Sequence, residues 1–157
     1  MSRNISKKIQ NLIPDGVYRN IVISKFINYL MYNGNKSKAE FIFYLSMKKF
    51  FSTINKYSIS VFNDIVDCVQ PTVEVKSRRI GGSTYKVPVE VNSSRRLKLA
   101  LKWIIISSRK RKKEKNMIDK LCHEFIDIYN KRGNAYKKKI DTHRIAQANK
   151  AFSHYRW

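Results

Sequence analysis

The chain has 157 residues, 43% of them apolar, with 33 Lys and Arg against 11 Asp and Glu, a net charge of +22 and a pI near 10.2. The apolar share excludes a wholly disordered polycation, and the length suits one domain with one core. So lopsided a charge argues against a generic soluble enzyme and for a polyanionic partner, with nucleic acid ahead of an anionic membrane surface.

Residues 1–13, with Arg3, Lys7 and Lys8, read as a flexible basic arm ahead of a helical domain over 14–157. The arm lacks a signal-peptide core, and no apolar run is long enough to span a membrane. Pro14-Asp15-Gly16 is a turn signal. From Asn20 to Met31, Ile23, Phe26, Ile27 and Leu30 recur at helical spacing, and Gly34 suits a left-handed C-cap. The second helix is expected from Ser37 to Ser52, burying Ala39, Ile42, Phe43, Ser46 and Phe50, with Lys48 and Lys49 in its last turns. The third starts at Ser58 or Ser60, either of which can cap it, and stops before Pro71.

The period then changes from helical to alternating. Two alternating runs within residues 72–91 flank Gly81-Gly82, which predicts a two-stranded β-hairpin. A fourth helix is expected from Ser93-Ser94 to about Lys110. Its helical projection puts Arg95, Lys98, Lys102, Arg109 and Lys113 on one cationic stripe. A fifth runs from Asn116 to Tyr129. A sixth runs from about Asn134 to Phe152, with Lys137, Lys138, Arg144 and Lys150 as a second basic surface. The fold expected is mainly α: one bundle of about six helices with a protruding hairpin.

The charge is concentrated. Residues 14–74 carry seven basic and five acidic side chains, whereas residues 75–157 carry twenty-three and six. Between Lys76 and Lys113, Glu90 is the single acid among thirteen basic residues, including Arg96, Lys110 and Arg111. Parity is expected to place Lys76, Arg78 and Lys86 on one ribbon face, with Arg79 and Ile80 at the tip and Tyr85 free to stack on a base. The plainer reading is a set of solvated charges that only discourage strand pairing. Three basic surfaces in one small domain favour nucleic acid.

Little supports an enzyme. His123, His143 and His154 sit in no catalytic spacing, and no phosphate loop, dinucleotide fingerprint or nucleophile elbow occurs. Cys68 and Cys122, outside any metal-binding pattern, read as buried free thiols. Asp64 and Asp67 share a helix face without a third ligand. No catalytic residue, metal or cofactor is expected. A helix-turn-helix DNA-binding regulator is the rival reading, though the hairpin interrupts the required turn.

The stretch Pro71 to Val91 resembles the hairpin of the bacterial-type small-subunit ribosomal protein seven family. Arg95-Arg96, Ala100-Leu101-Lys102-Trp103-Ile104 and Arg109-Lys110-Arg111 resemble the helix after it, and Ala148 to Trp157 resembles the family's terminal motif. Pro14-Asp15, Lys25-Phe26-Ile27-Asn28, Met31 and Gly34-Asn35-Lys36-Ser37 fit as well, while Phe51 to Ile59 diverges. The resemblance implies a direct binder of the 3′ major domain of small-subunit rRNA that nucleates the head. It implies a ribbon tip, Arg79, Ile80, Gly81, Gly82, Ser83, Thr84 and Tyr85, close to exit-site tRNA and mRNA. It also implies the ninth and eleventh small-subunit proteins as neighbours, with no membrane and no small-molecule substrate as partners. Frequent Lys, Asn, Ile and Tyr have A/T-rich codons, which point to an organellar ribosome, mitochondrial before plastid, with the bacterial cytoplasm as the alternative.

Overall fold

A computed structural model describes residues 12–155; Arg3, Lys7 and Lys8 lie outside them. Within that span the order is α1 (Ile21–Leu30), α2 (Lys36–Ile54), α3 (Ile59–Val69), β1 (Val73–Ile80), β2 (Ser83–Glu90), α4 (Ser93–Lys110), α5 (Met117–Tyr129) and α6 (Gly133–Ala148), then a 3-10 helix (Lys150–Tyr155). The helices form a bundle with α4 and α5 central, and β1 and β2 form an antiparallel ribbon rooted on α6.

Local chemistry sets the helix limits. Asn20, Asn35 and Ser58 each accept a backbone N–H in the first turn of α1, α2 and α3, satisfying a donor the helix leaves orphaned. Two boundaries in the first half of the chain differ from the sequence reading. Helix α1 closes at Met31 in an extended conformation, and the left-handed residues Asn33 and Gly34 (φ 51° and 74°) shape the turn to α2 instead. Helix α2 runs on to Ile54 and ends at Asn55 (φ 56°), because asparagine tolerates the left-handed region. Lys49 therefore sits a turn inside the end and pairs with Asp119 of α5 at 2.6 Å.

An aromatic knot fills the core. The ring of Phe62 meets Phe26, Phe43 and Phe125 edge-on at 5.7, 5.5 and 5.9 Å. Each such pair adds about 0.5–1.5 kcal/mol beyond area burial. Leu101, Ile104 and Leu121 complete the seam from α4 and α5. Cys122 is buried and Cys68 half-buried, both as free thiols. Before α1, Asp15 is buried and accepts the Tyr44 hydroxyl at 2.5 Å and the Tyr18 amide at 3.0 Å, while Ile13 is tied by Ser24 at 2.8 Å.

A charged cluster joins α4, α5 and α6. Arg111, the first residue past α4, turns inward to Glu114, Glu124 and Asp127 at 3.2, 3.0 and 2.6 Å. Glu124 has no exposed surface, and it also accepts the Ala135 amide at 3.1 Å in the first turn of α6. Burial pushes its carboxyl above the usual carboxylate range, with the Ala135 and Arg111 bonds pulling the other way. Gly133 starts α6 at φ +88°, where a Cβ would stand 3.0 Å from that of Asp127.

Candidate nucleic-acid interface

The ribbon comes first. Gly81 and Gly82 both take positive φ (53° and 87°), the requirement of a two-residue turn that matches strand twist. The resulting register pairs Ser77 with Lys86 and Arg78 with Tyr85. Directly paired residues share a face. Lys76 and Arg78 therefore lie with Tyr85 and Val87, whereas Lys86 lies opposite with Arg79 and Ser77. The expected common face for Lys76, Arg78 and Lys86 is thus incorrect, because the two-residue turn makes even positions of β1 meet odd positions of β2. The ribbon presents cations on both sides, with Lys76, Arg78, Arg79 and Lys86 all exposed.

Tyr85 has a partner of its own. Its ring packs against Phe152 at 5.2 Å and Tyr155 at 5.6 Å. Helix six ends at Ala148 instead of Phe152, and the tighter 3-10 segment brings these two rings to the ribbon. The tip, Gly81 to Thr84, stays exposed beyond this clasp.

The ribbon root is fixed from α4 and α6. Arg95 clamps Glu74 through Nε (2.9 Å) and Nη2 (2.9 Å), and Lys76 adds a looser contact at 3.6 Å. Arg96 donates to the Val91 carbonyl at 2.7 Å. His143 of α6, without a role in the sequence reading, accepts the Thr72 amide on Nε2 at 3.1 Å. That bond needs a lone pair on Nε2. Burial, then the charge of Lys139, lowers the ring's pKa below its ordinary 6.5. This contribution to stability is complete above the ordinary histidine range and is lost as pH falls through the depressed folded value. Melting at pH 7.5 and 5.5 is expected to show a larger drop for the wild type than for His143→Asn; equal drops would refute the assignment.

Helix α4 buries Ala100, Leu101, Ile104, Ile105 and Ser108 and exposes Arg95, Lys98, Lys102, Arg109 and Lys110. Ile106 sits within the charged stripe, 40% exposed. Lys113 does not continue the stripe, since the helix stops at Arg111 when that side chain turns toward α5. Lys113 instead lines a shallow cleft of about 290 Å3 with Lys110, Lys112 and Asn134, at the start of α6.

Flanking helices widen the face. Lys102 lies 5.8 Å above the Tyr29 ring of α1, and Lys138 of α6 lies 5.6 Å above Trp103. Sequence reasoning gave no role to Tyr29, because its cation partner Lys102 lies 73 positions away on α4. Lys137 and Arg144, seven residues apart, share an exposed stripe of α6, and Lys150 is exposed in the 3-10 segment. The arrangement can neutralise a phosphate backbone along α4 while the ribbon reaches past it.

Comparison with known proteins gives a consistent result. The family model described as ribosomal protein S7p/S5e matches residues 1–150. A protein of Beijerinckia indica is 50% identical over 157 residues, covering all of both chains. One from Sulfurimonas denitrificans is 48% identical over 149 residues, 95% of this chain and 96% of its own. One from Maridesulfovibrio salexigens is 51% identical over 148 residues, 94% of each. All three are named small ribosomal subunit protein uS7.

Proposed function

Since the chain belongs to the ribosomal protein S7p/S5e family, a family of structural constituents of the small ribosomal subunit and not an enzyme class, we propose that its cationic face docks on the 3′ major domain of small-subunit rRNA and nucleates head assembly. One observation carries this reading: exposed cations run from both ribbon faces along α4 and onto α6. Lys76, Arg78, Arg79, Lys86, Lys98, Lys102, Arg109, Lys110, Lys113, Lys137, Lys138, Arg144 and Lys150 meet phosphates. Arg95 and Arg96 set the angle between α4 and the ribbon, and Arg111 holds the α4–α5 connection. The tip, Arg79 to Tyr85, lies near exit-site tRNA and mRNA, and the ninth and eleventh small-subunit proteins are its neighbours.

The compartment in our reading is an organellar matrix, mitochondrial before plastid, on the strength of the Lys-, Asn-, Ile- and Tyr-rich sequence; the bacterial cytoplasm is the second reading, supported by bacterial relatives. Tagged protein expressed in its own cells is expected to co-sediment with small subunits through moderate salt. Sedimentation with duplex DNA, or with anionic vesicles after nuclease treatment, would overturn the assignment.

A further inference from the structure

A second feature lies at the far end of α4, fourteen residues from Arg95 and so about 21 Å along the helix axis. A cleft of about 570 Å3 opens there between the end of α1, the turn after it, α2 and α5. Its floor is apolar: Leu30, Ala39, Ile42 and Met117. Two cations stand at it, Lys38 and Arg109, and none of the described lining residues is acidic. Arg109 is held in place by donating from Nη2 to the Leu30 carbonyl at 3.1 Å, which also satisfies a terminal carbonyl of α1. Tyr32, also in the lining, is 74% exposed.

We infer that this cleft receives one unpaired nucleotide extruded from the bound RNA, its base on the apolar floor beside Tyr32 and its phosphate between Lys38 and Arg109. The chemistry matches part by part. A base is a flat surface that stacks on a ring or an aliphatic floor, and its phosphate carries the single charge that two cations without a nearby acid would attract. An acidic peptide would satisfy the cations and leave the floor unfilled. The volume lies within the range of small-ligand sites, about 300–1,000 Å3. This rests on the rRNA-binding reading above and adds to it a discrete nucleotide subsite.

The test uses the full chain and a 3′-major-domain rRNA fragment, with dissociation constants and base-by-base chemical reactivity as readouts. Ile42→Trp fills the cleft and Lys38→Ala, at an exposed position, removes a cation without touching the core. Ile42→Trp is expected to weaken binding about tenfold. It should also make one unpaired base reactive that the wild type protects, the rest of the footprint staying intact. Lys38→Ala should lower the salt slope by about one unit and expose the same base partially. If both variants bind with wild-type affinity and footprint while Lys102→Ala still weakens binding, the subsite is refuted and the wider interface stands. If Ile42→Trp spares the RNA footprint but blocks a neighbouring protein from joining the particle, the cleft is a protein site and the inference fails. If the wild type does not bind the fragment, both readings fall together.

Discussion

Lys98→Ala, Lys102→Ala and Lys138→Ala, combined in one variant, are expected to lower the salt slope of rRNA binding by about two to three units and to weaken binding at moderate salt more than tenfold. These three are chosen because their removal spares the scaffold. Lys98 and Lys102 are exposed on α4, and Lys138 is exposed on α6. Losing the contacts of Lys102 with Tyr29 and of Lys138 with Trp103 costs about 0.5–1 kcal/mol each at exposed sites, so the fold survives. Arg95→Ala would be a poorer probe, since it also frees Glu74 and loosens the ribbon. The matched control removes the same charge elsewhere: Lys48, Lys56 and Lys120, on α2, the connection after it and α5. Titration of both variants between low and moderate salt separates an interface from a net-charge effect. Equal slopes for the two would mean that only total charge matters.

The second large effect concerns stability. Arg111→Ala is expected to destabilise the protein by about 3–5 kcal/mol, because removing one partner of a buried pair strands the other. For a chain of this size that lowers the melting temperature by roughly 10 °C. The stranded group is Glu124, which would keep only the Ala135 amide. The signature is its pH dependence. Without Arg111 the folded pKa of Glu124 rises further above its unfolded value, so the variant regains stability as pH falls and loses it as pH rises. The gap to wild type should therefore narrow toward acid, and Glu124→Gln in the same background should recover part of the loss at neutral pH. A gap constant with pH would show that Arg111 acts through packing alone. If Arg111→Ala weakened rRNA binding without lowering the melting temperature, the residue would belong to the interface instead.

Short-range features were legible in the sequence. The apolar spacing of α1, α3 and α5, the serine cap of α3 and the Gly-Gly turn all depend on residues a few positions apart. Long-range partnerships were not. Arg111 looked like one more cation in a basic run, and only the approach of α5 reveals its three carboxylates. Lys113 projected onto the stripe of α4 because a helical wheel assumes that the helix continues. Tyr85 looked available to RNA until the 3-10 segment, read as more α-helix, brought Phe152 and Tyr155 across. The face of Lys86 was legible too, since a two-residue turn pairs it with Ser77 and so sets it opposite Lys76 and Arg78. His143 gave no local signal, since its partner, the Thr72 amide, lies 71 positions earlier.

That interval has a temporal consequence. Synthesis runs from the N-terminus at about 5–20 residues per second, so some four to fourteen seconds separate the making of Thr72 from that of His143. From the making of Glu90 onward, two strands rich in lysine and arginine stand beside a half-built bundle, with neither imidazole nor aromatic clasp yet made to hold them. The most cationic part of the molecule is thus exposed to surrounding polyanions before the residues that anchor it exist.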